Sequence, residues 1–179
     1  MIVSIVLLAA VTAQRLGELV LAAHNTRRLK AQGAYEVAPG HYPLIVLLHG
    51  VWLAGLWWLA WDRPLSLWLA ALFLGIEGLR VWVLMSLGAR WTTRIIILPG
   101  APLVRRGPYR FIPHPNYTVV AAEILVLPLA FGLVTYALAF TALNAAILFV
   151  RIRAENAALA SLPLAGRVDD AERRTGGVV

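Results

Sequence analysis

Residues 65–87 read LSLWLAALFLGIEGLRVWVLMSL, twenty-three positions with only two charges, Glu77 and Arg80. A helix needs about 20 apolar residues to cross a hydrocarbon core of about 30 Å, and this stretch reaches that length with no internal proline. Four more stretches approach the same length: Ile2–Ala23, Tyr42–Trp61, Tyr117–Leu133 and Tyr136–Val150. Little more than Gly132 and Thr135 separates the last two, and Pro128 lies just before the break. Together they exceed thirty residues, which favours a helical hairpin over one kinked span. The expected fold is all-α, an integral membrane bundle of about five transmembrane helices with a folded cytoplasmic loop before the fourth.

The composition agrees. Of 179 residues, 60% are hydrophobic and 14% charged, with a mean hydropathy of +0.75. A soluble domain is nearer half apolar and a quarter charged, so a disordered chain, a disulfide mini-protein and an ordinary cytosolic enzyme are excluded. The chain has no cysteine, which removes disulfides, thiolate zinc sites, iron–sulfur clusters and cysteine nucleophiles. His24, His41, His49 and His114 are scattered without an HExxH pattern, and no metal is expected. GxSxG, Walker and GxGxxG motifs are also missing. Residues 1–160 read as one transmembrane domain, followed by a polar, charge-mixed tail over 161–179 that is expected to be disordered.

The net charge of +7 has a topological explanation. With five spans, thirteen of the sixteen basic residues fall on one side and Arg63 alone on the other. The positive-inside rule then places the N-terminus outside and the C-terminus in the cytoplasm, in the cell (inner) membrane. Nucleic acid need not be invoked. Val11-Thr12-Ala13 resembles a signal cleavage site, but nothing basic precedes the apolar run, so cleavage is not expected. The seven tryptophans lie mainly near the ends of the second and third spans, as interfacial anchors do.

Five charges lie inside the spans. Arg15 with Glu18, and Glu77 with Arg80, are each three residues apart and share a helix face, where they can neutralise each other. Glu123 has no such neighbour; Arg110, Arg151 or a cationic ligand are its expected partners. Intramembrane charge either stitches a bundle together or marks a substrate site.

The loop Arg90–Asn116 is cut by Pro99-Gly100, Gly107-Pro108, Pro113 and Pro115, with apolar runs at Ile95–Leu98 and Leu103-Val104. Such a segment should fold against the bundle as a lid or pocket wall. His114, held between two prolines, is either a ligand contact or the end of the loop before a helix capped by Asn116. At the end of the fifth span, Asn144, Leu148, Arg151 and Glu155 fall on one stripe. That stripe is either a polar cavity wall or an interfacial salt bridge.

Gly107–Tyr117 (GPYRFIPHPNY) and Arg151–Asn156 (RIRAEN), one helical hairpin apart, resemble the isoprenylcysteine carboxyl methyltransferase family, itself related to membrane phospholipid methyltransferases. Arg15–Tyr42 (RLGELVLAAHNTRRLKAQGAYEVAPGHY) is similar to its bacterial branch. The resemblance implies methyl transfer from S-adenosylmethionine to a lipophilic acceptor at a carboxyl or phenolic oxygen. Among bacterial members a lipidic phenol or polyketide fits better than a prenylated protein. By the same resemblance Gly107, Tyr109, His114, Pro115 and Tyr117 would hold the cofactor, and Arg151 and Glu155 would flank the reaction centre, with Glu155 also facing the cofactor. Two positions depart from the family pattern: Pro113 stands where an arginine usually precedes the histidine, with Arg110 or Arg106 as replacement, and Asn156 stands for a second glutamate. Glu123, Asn144 and Arg151 are the candidate acceptor contacts, and Glu155, Glu123 or His114 the candidate bases. Two other readings stay open. One is a membrane reductase of the sterol type using NADPH; the other is a small proton-coupled transporter titrating at Glu18, Glu77 or Glu123.

Overall fold

The chain is described from a computed structural model over residues 1–161; the tail beyond lies outside the described residues. Five helices carry the fold: α1 Ile2–Ala31, α2 Tyr42–Ala60, α3 Leu67–Leu87, α4 Pro115–Ala130 and α5 Val134–Ala160. Four are long and apolar enough to cross a membrane, and α4, at 16 residues, is a shorter apolar helix. The expected all-α membrane bundle is therefore observed, with one member just under spanning length. The chain is a multi-pass membrane protein.

The bundle interior mixes an apolar core with the polar positions, and many large apolar side chains face outward. On α1 the buried stripe runs Ser4, Leu8, Val11, Glu18, Ala22, Asn25, Leu29; on α3 it runs Phe73, Ile76, Arg80, Val83, Ser86. These steps of three, four or seven trace one face of a helix. Outside, Trp58 (83% exposed), Met85, Leu138 and Phe149 project away from the protein. In lipid this arrangement needs no further burial, because hydrocarbon solvates the outer face.

The hairpin between the last two helices has a local cause. Pro128 cannot donate to the preceding turn, and α4 ends two residues later. Gly132 then adopts φ +70°, and the Leu133 amide bonds the Pro128 carbonyl, closing the helix end. At the same end of the bundle, Ser4 Oγ donates to the Arg63 carbonyl at 2.8 Å and the Ser66 amide to that of Ala130 at 2.8 Å. The opposite end is elaborate and basic. There β1 Tyr35–Glu36 pairs antiparallel with β2 Ile96–Ile97, joining the first connection to the long loop. The strand pair was not expected from the sequence.

Glu36 clamps this junction, accepting from Arg94 at 2.6 Å and Lys30 at 3.1 Å. Burial works against its ionisation, but the two cations outweigh burial and hold the carboxyl below its usual range. Gly107 fastens the loop to α3. Its φ is +59°, and a Cβ there would stand 2.0 Å from Ser86 Oγ, so the backbone packs where a side chain cannot. Beside it, Arg106 Nε donates to the Ser86 carbonyl at 2.8 Å. The lid expected from the prolines and apolar runs is thus a docked wall.

The intramembrane charges pair across helices. Arg15 meets Glu18 at 2.8 Å, as expected. Glu77 and Arg80 do not pair with each other. Arg80, 3% exposed, donates to both oxygens of Glu123 and to Glu18, while Glu77 accepts from Gln14 at 2.5 Å. The partners of Glu123 are Arg80 and Arg15 rather than Arg110 or Arg151. The tryptophan reading also needs correction at two positions, since Trp52 and Trp91 are buried in the core instead of anchoring at the interface.

Candidate functional site

The loop wall, the start of α4 and the end of α5 enclose a cavity of about 420 Å³ at the basic end of the bundle. Tyr109, His114, Tyr117, Arg151 and Glu155 all line it, together with the loop's Ile95–Leu98 run. Sequence positions 42 residues apart meet here because α4 and α5 form a tight antiparallel hairpin: His114 Nε2 lies 3.2 Å from Asn156 Oδ1. Asn156, where the family pattern has a second glutamate, therefore occupies the hydrogen-bonding place beside the histidine.

Tyr117 Oη donates to Glu155 Oε2 at 2.7 Å, and His114 Nδ1 stands 3.8 Å from the same oxygen. The His114 and Tyr117 rings stack, with centroids 5.5 Å apart. Arg151 donates to the Thr93 carbonyl at 2.8 Å, and its guanidinium carbon lies 5.9 Å from the Tyr117 ring centroid. Among the described residues its buried Nε has no hydrogen-bond partner. Burial, aided by the Glu155 carboxylate, raises the Tyr109 phenol above its ordinary value, so this ring presents a neutral hydroxyl to the cavity.

The remaining sequence candidates lie elsewhere. Gly107 and Pro115 shape the wall from behind: Gly107 packs on Ser86, and Pro115 is the buried first residue of α4. Arg110 is exposed, 5.9 Å from the Phe111 ring centroid, and does not line the cavity. The helix begins at Pro115 with His114 in the cap position, and Asn116 is not its cap; Asn116 Oδ1 instead accepts from Trp91 Nε1 at 3.3 Å. Glu123, 1% exposed, is locked among arginines and reaches neither cavity. Asn144 is equally buried, and both its amide atoms lack partners.

A second cavity of about 260 Å³ lies deeper, between α1 and α2. Its lining is mostly apolar, and Leu16, Leu19 and Val46 at its edge are exposed on the lipid-facing surface. Trp91, Asn116, Tyr117 and Arg151 line both cavities and form the wall between them. Sequence reasoning missed Trp91, Thr93, Asn116 and His49 as cavity residues. The polar Thr92-Thr93 pair beside the apolar Ile95–Leu98 run was the available signal for one of them.

A polar layer runs through the bundle at this depth. Glu18 is seven residues from Asn25, His49 seven from Tyr42, Arg80 seven from Leu87, Glu123 eight from Pro115 and Asn144 seven from Arg151. At 1.5 Å per residue, all lie about 10–12 Å below the basic end. Among the described residues, no group of three or more His, Cys, Asp or Glu side chains is arranged to hold a metal.

Comparison with known proteins matches residues 68–161, from α3 to the end of α5, to the model of the Isoprenylcysteine carboxyl methyltransferase (ICMT) family. A protein of Bacillus subtilis (strain 168), described as "Uncharacterized protein YpbQ", is 42% identical over 158 residues, covering 86% of this chain and 94% of its own length. No solved structure matches.

Proposed function

This chain belongs to the isoprenylcysteine carboxyl methyltransferase family, and on that premise we propose that it is an S-adenosylmethionine-dependent O-methyltransferase acting on a lipophilic acceptor. The observation that carries the reading is the shared wall: a cavity holding His114, Arg151 and Glu155 and a lipid-facing, more apolar cavity meet at Tyr117 and Arg151. A methyl donor and a lipid-soluble acceptor need two such chambers with one common face.

The donor fits the residues of the first cavity. A sulfonium is attracted to a carboxylate and to electron-rich ring faces, which Glu155, Tyr117 and Tyr109 supply. The lining Arg90, Arg94 and Arg151 suit the carboxylate of its amino-acid end. The Ile95–Leu98 run offers an apolar surface to the adenine. When bound, S-adenosylmethionine supplies an electrophilic methyl group. Tyr117 fixes the Glu155 carboxylate by its hydrogen bond, and Arg151, tied to the Thr93 carbonyl, holds positive charge beside the acceptor oxygen. A carboxylate acceptor needs no base. A phenol transfers its proton to Glu155, which His114 backs from 3.8 Å. The docked loop and the apolar second cavity exclude water, and alignment supplies most of the acceleration. The basic end, with this site, faces the cytoplasm of the cell membrane, and the N-terminus lies outside.

Calorimetric titration of S-adenosylhomocysteine into detergent-purified protein tests the reading. Micromolar binding that is lost in Glu155→Ala and His114→Ala supports it. Stabilisation by NADPH with no response to S-adenosylhomocysteine overturns it in favour of a reductase.

A further inference from the structure

The second cavity is apolar along most of its length but carries polar groups at two separated levels. At the upper level stand Tyr117, Arg151 and Thr93, whose hydroxyl donates to Tyr42 Oη at 3.3 Å. At the lower level stands His49, seven residues and about 10 Å further along α2. His49 Nδ1 lies 2.8 Å from the Ile45 carbonyl, which can only accept. In the neutral ring this puts the proton on Nδ1 and leaves Nε2 a bare acceptor. Among the described residues, none hydrogen-bonds Nε2.

Arg15 lines the same level. Its two terminal nitrogens are engaged with Glu18 and Glu123, while its Nε is buried without a partner. Arg80 and Glu18 also border the cavity but are spent on one another and on Glu123. The deep level therefore presents one unused acceptor, His49 Nε2, inside an otherwise apolar chamber. A hydrocarbon tail does not satisfy it, and leaving a buried polar group unmatched is costly. A hydroxyl, which donates, matches it.

We infer that the acceptor of this enzyme is a two-headed amphiphile. One oxygen lies at the Tyr117–Arg151 wall, and a second hydroxyl, about 10 Å along an apolar chain, is read by His49 in the middle of the membrane. The inference rests on the first cavity being the methyl-donor site. His49 is on this view a specificity residue: it discriminates between acceptors and takes no part in the transfer of the methyl group. A site built to bond a hydroxyl discriminates strongly against the analogue that lacks it.

The test uses the full chain in detergent micelles and two long-chain 4-alkylphenols, one unsubstituted and one with a chain hydroxyl at the matching distance. Affinity is read by calorimetry without donor, so the result is independent of catalysis. Comparing each ligand between parent and variant in the same micelles cancels its partitioning. The expected result is that His49→Leu weakens the hydroxylated phenol about tenfold and leaves the plain one unchanged, while His49→Gln, which keeps an acceptor, retains the preference. Unchanged S-adenosylhomocysteine binding by His49→Leu shows that the variant is folded. Equal loss for both phenols, no loss for either, or no binding of either to the parent overturns the inference. If His49 behaves as expected but neither phenol is methylated and S-adenosylhomocysteine does not bind, the methyltransferase reading falls and the amphiphile site stands.

Discussion

Tyr117 hands its phenolic hydrogen to Glu155 across 2.7 Å, tying the first turn of α4 to the last turns of α5 over a gap of 38 residues. The bond holds a carboxylate steady at the wall that the two cavities share. Tyr117→Phe keeps the ring and removes the tether. A hydrogen bond to a charged group contributes about 1.5–3 kcal/mol to folding stability, so the melting temperature in detergent should fall, and S-adenosylhomocysteine affinity should fall with it because Glu155 is no longer fixed. A variant that binds like the parent would remove this tyrosine from the site.

Glu123 stands in the middle of the buried ion cluster, so its loss should appear in stability. Glu123→Ala leaves Arg80 short of its main partner. Removing one member of a buried pair costs about 3–5 kcal/mol, and the low end applies because Glu18 still accepts from Arg80. The melting temperature in detergent should drop clearly, while donor affinity in the surviving folded fraction should not change.

The clamp at Glu36 should make the loop end acid-sensitive. Its folded-state pKa is lowered, so its stabilisation is complete above the ordinary glutamate value of about 4.3. That stabilisation is lost as pH falls through the lower folded value. The protection of residues 94–98, taken relative to intrinsic exchange at each pH, should fall over that window in the parent. In Glu36→Gln the same segment should already exchange quickly at neutral pH, with no further step on acidification.

Gly107→Ala tests how the long loop is fastened. The new Cβ would collide with Ser86 Oγ and must also adopt a positive φ, a combination worth about 1–3 kcal/mol. Limited proteolysis should then cut within residues 99–113 at a protease dose that leaves the parent intact. Helix content should not change.

The helices were legible because lipid imposes a length and an apolar composition on any span, and both are visible residue by residue. The α4–α5 hairpin was legible from length, because the two apolar stretches together exceed thirty residues; Pro128 and Gly132 are its local cause. The ion partners were not. Spacing i,i+3 says that Glu77 and Arg80 share a face, but which helix that face meets depends on packing, and Arg80 turned to Glu123 and Glu18. Tyr109, His114, Tyr117, Arg151 and Glu155 were picked out by resemblance and do line one cavity. Gly107 was picked out with them, yet its lack of a side chain serves the contact with Ser86. In the sequence His49 is one of four scattered histidines. Its interest comes from a neighbouring carbonyl and an open chamber, neither of which a linear sequence displays.

The ion cluster also bears on how the chain enters the bilayer. A lone charge at the centre of an inserting helix costs about 2.5–3.5 kcal/mol. α2 and α5 carry no Asp, Glu, Lys or Arg in their middle turns and can partition singly. α1 and α3 each bring two opposite charges, whereas α4 brings an unpaired Glu123 on only 16 residues. By itself α4 is the poorest inserter of the five, and its counterions, Arg15 and Arg80, lie on segments synthesised before it. Charge is therefore expected to order the insertion of this chain: α1 and α3 wait together at the membrane to receive α4, and the wall between the two cavities, at its first turn, is complete only after that transfer.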